Sequence, residues 1–99
     1  MIARADQGPR LVLKVQEIPY DHPHSRFMFR KNLVATRAAW DHFGPEEIFR
    51  LYLFLQEQAR RCNGLDYLQV FEDHADPPGP NLWFIEDAQV VTALLPSDY

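Results

Sequence analysis

Alternating apolar and polar residues mark two of the predicted strands, and largely apolar runs mark two more. Residues 10–18 (RLVLKVQEI) and 65–72 (LDYLQVFE) alternate with the period of two that is typical of a strand. Residues 82–85 and 89–95 are two apolar runs of strand length, and they predict an antiparallel hairpin. Residues 26–39 contain no helix breaker and predict a further extended segment, although residues 35–40 could equally start a helix.

The clearest helical pattern covers residues 45–62. Gly44 and Pro45 suit the N-cap and the first turn, and Asn63-Gly64 suits a left-handed C-cap. At 100° per residue, one apolar stripe contains Ile48, Leu51, Tyr52, Leu55, Ala59 and Cys62. The pattern therefore predicts one long amphipathic helix with one buried face. Two stabilising ion pairs are expected at i, i+4 spacing on its outer side, Glu46–Arg50 and Glu57–Arg61.

Proline-rich segments at residues 19–25 and 74–81 interrupt these elements and predict loops. The resulting order is β-β-α-β-β-β within a single domain of residues 1–99. One helix can cover only one face of a sheet, so this order predicts an α+β two-layer sandwich with a mostly antiparallel sheet of about five strands. Residues 1–32 are expected to form an N-terminal extension with one strand, and residues 33–99 are expected to form the core.

The composition fits a small globular domain of 99 residues, with 46% hydrophobic and 24% charged residues. The single cysteine, Cys62, excludes a disulfide within the chain, which favours a reducing cytoplasm. No apolar run approaches the roughly 20 residues that cross a bilayer, so no membrane association is expected.

Charge is distributed unevenly along the chain. Residues 1–61 contain all ten bases and seven acids, which leaves +3, whereas residues 62–99 contain seven acids and no base, which leaves −7. This segregation predicts a domain with one basic and one acidic side.

Three C-terminal segments, residues 65–72 (LDYLQVFE), 82–87 (LWFIED) and 92–99 (TALLPSDY), resemble the small bacterial family named Domain of Unknown Function 960. In that family a strand that ends in a Thr-Arg pair precedes the helix. The pair Thr36-Arg37 lies at a similar distance before Leu65 in this chain. The resemblance covers roughly residues 33–99. It implies a compact accessory or regulatory protein of the kind carried by Gram-positive chromosomes, phages and mobile elements, and it assigns no catalytic residues.

Signals for an enzyme are weak. Cys62 falls at the negative end of the predicted helix and on its apolar stripe, where packing explains it better than nucleophilic catalysis. A small metal-dependent hydrolase remains as an alternative, because three histidines in the two proline-rich loops could supply zinc ligands, namely His22, His24 and His74. The spacing of these histidines matches no metal-binding motif, so we expect no cofactor or resident metal.

Nucleic-acid binding is a second alternative. The segment 26–31 interleaves cations with aromatic rings, a combination that neutralises phosphates and stacks on bases: Arg26, Phe27, Phe29, Arg30 and Lys31. The unopposed acids of the C-terminal half weaken long-range attraction to a polyanion, so nucleic acid is not the expected partner.

The preferred hypothesis is a small non-enzymatic protein that binds another protein. Three large apolar residues fall outside the core stripe of the helix and are expected to form the contact: Phe49, Leu53 and Phe54. The acids expected to steer a basic partner are Asp73, Asp76, Glu86 and Asp87. The partner is not identified by the sequence, and a homodimer is left open.

Overall fold

The computed structural model describes residues 10–99. Five strands and two α-helices follow one another along the chain, with a short 3-10 turn at Pro96–Asp98. The elements are β1 (Leu11–Leu13), β2 (Leu33–Ala35), α1 (Arg37–Phe43), α2 (Pro45–Cys62), β3 (Leu68–Asp73), β4 (Leu82–Glu86) and β5 (Val91–Leu94). The α+β class and the five strands confirm that part of the prediction.

The sheet is mixed, with the strand order β1-β3-β4-β5-β2. β3, β4 and β5 form a central antiparallel meander, and β1 adds to β3 in antiparallel orientation. β2 lies parallel to β5 at the other edge, with Val34 opposite Thr92. Alternation along a strand says which residues share a face, but it does not say which strand is the neighbour. The parallel edge therefore could not be predicted from it.

The prediction of one helix is wrong, because two helices form. Thr36 begins α1, and its hydroxyl accepts a hydrogen bond from the Ala39 N–H at 3.2 Å. The extended segment predicted at residues 26–39 is therefore shorter in the structure, where its strand is the three residues of β2 and the helix begins directly after Thr36. Gly44, at φ 85°, then ends α1 and begins α2, so a single glycine turns the chain between the two helices.

The bounds of α2 agree with the predicted helix. Asn63 adopts the left-handed conformation at φ 59°, and five of the six stripe residues are buried, with Cys62 half-buried. Of the two predicted ion pairs, Glu57–Arg61 forms at 3.1 Å. Arg50 instead pairs with Glu47 at i, i+3 spacing, one residue closer in sequence than the predicted partner Glu46, at 2.7 Å.

The first strand is shorter than predicted, because the chain leaves the ladder after the Lys14 N–H donates to the Val70 carbonyl. The Gln16 amide then holds the following loop. Its nitrogen donates to the Ile18 carbonyl and the Ser25 hydroxyl, and its oxygen accepts from the Asp66 N–H. The Gln16 side chain thus holds the loop in place of strand pairing, with hydrogen bonds to the loop itself and to Asp66.

One hydrophobic core lies between the helices and one face of the sheet. Both helices contribute to it, as do all the central strands and the fully buried Phe29. Residues 10–32 therefore supply both an edge strand and core packing. Residues 1–9 of the predicted extension lie outside the described residues.

Candidate functional site

The three apolar residues predicted on the helix surface are exposed, at 52% for Phe49, 46% for Leu53 and 41% for Phe54. They do not form one patch. Phe49 and Leu53 lie about 40° apart around the helix, whereas Phe54 lies about 100° beyond Leu53. The Phe54 ring contacts Phe71 edge to face, with a centroid distance of 6.1 Å. Phe54 thus belongs to the rim of the core.

Phe49 and Leu53 occupy the flank of α2 against which residues 29–31 are tied. The Gln56 amide donates to the Phe29 carbonyl, and the Tyr52 hydroxyl donates to the Lys31 carbonyl at 2.6 Å. A groove of about 300 Å³ on this flank is lined by Met28, Leu53 and four polar or charged side chains, Arg30, Gln56, Glu57 and Arg60. The apolar surface on this flank is therefore small and interrupted by charge.

Two of the four predicted steering acids are buried and ion-paired, which removes them from the exposed acidic surface. Asp73 is 3% exposed and receives hydrogen bonds from Arg10, with the shortest distance 2.7 Å. Its Oδ1 also accepts from the Ala75 and Asp76 N–H groups. The bond from Arg10 is the largest cause of a lowered pKa at Asp73, and the backbone donors add to it against the opposing effect of burial.

Glu86 is 7% exposed and clamps the segment before β2. Its Oε1 accepts from the Phe29 N–H at 2.7 Å, and its Oε2 accepts from Lys31 Nζ at 2.6 Å. Phe29 has the left-handed φ of 56°, which is costly for a residue with a side chain. The clamp and the complete burial of the Phe29 ring hold this conformation in place, so Glu86 has a structural role.

The other two predicted acids remain exposed. Asp76 lies in the proline-rich loop after β3. Asp87 begins the β4–β5 turn, where its Oδ1 accepts from the Val90 and Gln89 N–H groups and these bonds lower its pKa, in that order. Only this pair of the four predicted residues can act on a partner as solvent-facing charge.

The segment predicted to bind nucleic acid is divided by the fold. Phe29 is fully buried and cannot stack on a base, and Lys31 is paired with Glu86. The Arg26 guanidinium lies over the Phe27 ring at 4.8 Å. Arg26, Phe27 and Lys31 line an open cleft of about 550 Å³ whose other lining residues include the acids Glu86 and Asp87. The cleft therefore mixes both signs of charge and lacks the cationic character that phosphate binding needs.

Of the histidines of the hydrolase alternative, His22 and His24 lie side by side, with their ring centroids 4.9 Å apart, whereas His74 lies against Glu72. His22 Nδ1 accepts a hydrogen bond from the His24 N–H, and His74 contacts Glu72 at 3.5 Å. Within residues 10–99, no group of three or more His, Cys, Asp or Glu side chains is placed to hold a metal ion.

The feature that the sequence reasoning missed is the second face of the sheet. The residues of each strand alternate between the core and this second face. The strand register aligns the residues of the second face in rows across the sheet. We call this surface the open face and define it by its apolar residues and Thr92: Val12, Val34, Leu68, Val70, Trp83, Ile85, Thr92 and Leu94. None of these eight residues belongs to the core cluster or packs against it, although Leu94 is itself buried, at 6% exposed.

The open face has no helix over it among the described residues, because the buried residues of both helices lie in the core on the other side. Most of its residues are half-buried by their neighbours in the sheet, and Val34 is 44% exposed. The register adds Lys14 and Glu72 at its β1–β3 edge, and two further acids, Glu17 and Asp66, line one pocket with Leu68 and Val70. The centre of the open face is therefore apolar and its edge is polar.

Aromatic side chains lie at the middle and the rim of the open face. Trp83 stands between Val70 and Leu94 in the register, and the Tyr99 ring packs edge to face on it at 5.8 Å. The pKa of Tyr67 is raised, first by the nearby Tyr99 and next by burial. An apolar centre with an aromatic anchor and a polar rim is typical of a protein interface.

A signal for this face was present in the sequence. In β3, β4 and β5 apolar residues occupy both alternating positions, as in Leu82-Trp83-Phe84-Ile85. Strands with that composition are typical of sheets that are covered on both faces. One amphipathic helix can cover only one of them, so an uncovered apolar face could have been inferred.

Comparisons with protein-family models, with curated proteins and with solved structures found no match. The resemblance to Domain of Unknown Function 960 stays a prediction. No helix of the described residues is long and apolar enough to span a membrane.

Proposed function

We propose that this protein acts by binding another protein through the open face of its sheet. The observation that supports this function is the two-sided apolar character of β3, β4 and β5, of which the described chain covers only one side. Burial of apolar surface is worth about 25 cal/mol per Å², so covering the remaining exposed area of these residues would favour association.

The chemistry of the open face favours a protein over a nucleic acid. Within residues 10–99, Lys14 is the one cation that the register places beside it, and one cation neutralises too little charge to hold a phosphate backbone. Side chains such as Trp83 and Ile85 instead match the apolar centre of a protein contact.

The titratable groups favour binding over catalysis. Across residues 10–99, five carboxylates have a resolved pKa shift, and hydrogen-bond donors lower the pKa of each: Glu47, Glu57, Asp73, Asp87 and Asp98. A carboxylate that is held ionised in this way is a poor proton donor near neutral pH. The shifts thus support structural ion pairs and turns more than acid–base chemistry.

Electrostatic steering of a basic partner remains part of the hypothesis, but with a smaller set of residues. Asp76 and Asp87 are exposed in the loops that follow β3 and β4, so their charge reaches solvent. If they steer a basic partner, changing both to Asn should slow association at low salt and leave dissociation almost unchanged.

The function is tested by capturing partners from the native host with three tagged chains. Ile85→Lys places a charge in the centre of the open face, and Leu53→Lys places the same charge on the exposed flank of α2. We expect the wild-type chain and Leu53→Lys to retain the same partner and Ile85→Lys to lose it by at least tenfold. Circular dichroism of each variant checks that its fold is intact.

Loss of the partner with Leu53→Lys but not with Ile85→Lys would move the interface to the helix, as the sequence alone suggested. Equal capture by all three folded chains would remove the open face from the proposal.

A further inference from the structure

We infer that the partner on the open face is a basic amphipathic helix, whose apolar stripe covers the sheet and whose lysine or arginine side chains meet an acidic rim. This inference rests on the proposed function, because it names the kind of partner that binds the same face. We define the acidic rim by the three carboxylates that border the open face, Glu17, Asp66 and Glu72. Within residues 10–99, Lys14 is the one lysine or arginine placed among them.

Two acids of the rim share a pocket with the open face. The pocket has a volume of about 160 Å³, and its lining includes the charged residues Lys14, Glu17 and Asp66 and the open-face residues Leu68 and Val70. A lysine or arginine side chain of a partner can lay its aliphatic stem on Leu68 and Val70 and place its charge beside the two carboxylates. The pocket is therefore suited to a cationic side chain.

The charges of the rim favour a basic partner. Three carboxylates and the single ammonium group of Lys14 leave a net charge of −2 beside the open face. Glu17 is exposed and the Glu72 side chain is 44% exposed, so both charges reach solvent, where cations of a partner can meet them. An acidic protein, a nucleic acid or a second copy of this chain would bring further negative charge to the same contact.

The size of the open face suits one helix. Neighbouring strands lie about 4.8 Å apart and successive residues on one face about 7 Å apart, so the apolar area measures roughly 14 Å by 7 Å between side-chain positions. A helix with its side chains is about 10 Å across. The area consists of two rows across the sheet, Leu68–Ile85–Thr92–Val34 and Val70–Trp83–Leu94.

The covered face of the same sheet already shows this kind of packing. There α2 lays one apolar stripe of its 18 residues toward the strands and keeps charged residues such as Arg60 and Arg61 exposed. A partner helix of the same character would give three layers, with the sheet in the middle. Strands that are apolar on both sides, as β3, β4 and β5 are, are typical of that arrangement.

The test is a titration of the full purified chain with two peptides, each about 18 residues long and free of aromatic residues. The Lys peptide consists of Leu, Ala and Lys with its leucines in one helical stripe, and the Glu peptide has Glu in place of each Lys. In the Trp40→Phe variant of the chain, Trp83 is the remaining tryptophan of the two. The Lys peptide should shift its emission to shorter wavelength, with a dissociation constant on the order of 0.1 mM, and the Glu peptide should bind at least tenfold more weakly.

Removing charges from the rim should weaken binding of the Lys peptide. In the same background, the double variant Glu17→Gln with Asp66→Asn should lose about fivefold in affinity, because exposed ion pairs each contribute little. Asn at position 66 keeps the oxygen that accepts the Tyr67 N–H. The matched control, Asp41→Asn with Glu46→Gln, removes two exposed acids from the helix layer and should leave the affinity within about twofold.

The inference and the proposed function fail on different results. No binding of the Lys peptide up to about 1 mM, equal binding of the two peptides, or equal affinity of the rim variant and its control overturns the basic helix. A shift of the Trp83 emission with rising concentration of the chain alone assigns the open face to a second copy and also overturns it. The proposed function fails separately, when Ile85→Lys captures partners as well as the wild-type chain does. Weaker binding by the rim variant alone, with every variant folded by circular dichroism, supports the inference.

Discussion

The two faces of the sheet are made by the same strands and have different surroundings. On the covered face, Leu82 and Phe84 are fully buried beneath the helices. On the open face, Trp83 and Ile85 alternate with them along β4 and are only half-buried. Hydrophobic sequence composition is therefore similar on the two sides, while burial is not.

The faces also differ in how they use charge. The covered face ends in buried carboxylates, Asp73 and Glu86, that are held by Arg10 and Lys31 and by backbone N–H groups. The open face has Lys14 and Glu72 at its edge and apolar residues at its centre. One side thus uses ion pairs to fix the path of its own chain, and the other leaves an apolar surface exposed, which we propose as the contact for a partner.

The largest effect that would sharpen this comparison comes from matched truncations in β4. Leu82→Ala should lower the free energy of unfolding by about 3–4 kcal/mol, because it leaves a cavity in the covered core. Ile85→Ala should cost only about 1 kcal/mol in dilute solution, where the side chain already contacts water. Urea unfolding at low protein concentration measures both. Equal costs at low concentration would mean that the two faces are equally buried within one chain.

The next effect compares a carboxylate from each face. Glu86→Ala removes the acceptor of the buried Phe29 N–H and leaves Lys31 without its partner, so it should cost about 2–3 kcal/mol. Glu72→Ala should change the free energy of unfolding by no more than about 0.5 kcal/mol, because its side chain is 44% exposed. Thermal unfolding measures both, and Glu86→Gln, which keeps an acceptor oxygen, should fall between them.

The smallest of the three effects is the pH dependence that Asp73 contributes. Hydrogen bonds, first from Arg10, lower its pKa in the folded chain, so its stabilisation is present above the ordinary aspartate pKa of about 3.9 and is lost as the pH falls through the folded value. Asp73→Asn should cost roughly 1–2 kcal/mol at pH 7, and its difference from the wild-type chain should shrink toward pH 2. Unfolding curves from pH 7 to about pH 2 measure this change.

Arg10→Met provides the control for that pair, because it removes the charged donor and keeps an extended side chain. It should reproduce part of the loss at pH 7. A constant gap between Asp73→Asn and the wild-type chain down to pH 2 would show that the ion pair does not stabilise the fold.

Local signals in the sequence predicted the elements that depend on local physics. The bounds of α2 follow from Gly44, Pro45 and Asn63, and its buried stripe follows from helical periodicity. An alternating run identified β3, and two apolar runs of strand length identified β4 and β5. The exposure of Phe49, Leu53 and Phe54 also agreed with their place outside the stripe, although they form no single patch.

The features that were missed depend on contacts between distant parts of the chain. Asp73 and Arg10 are 63 residues apart, and Glu86 and Lys31 are 55 apart, so no local pattern shows that these acids are paired and buried. The parallel position of β2 beside β5 is equally non-local. The prediction that Asp73 and Glu86 face a partner was therefore wrong, because each is buried in an ion pair with a base that is distant in sequence.

The strand order has a consequence for how the chain is made. β1 pairs with β3, and β2 pairs with β5, so neither early strand can pair until the last third of the sequence has been synthesised. A polypeptide still attached to the ribosome can form α2 early, since helical contacts are local, but it cannot complete the sheet until Leu94 has emerged. Premature termination within β5 would leave β2 unpaired and would expose apolar edges to aggregation in a newly synthesised chain.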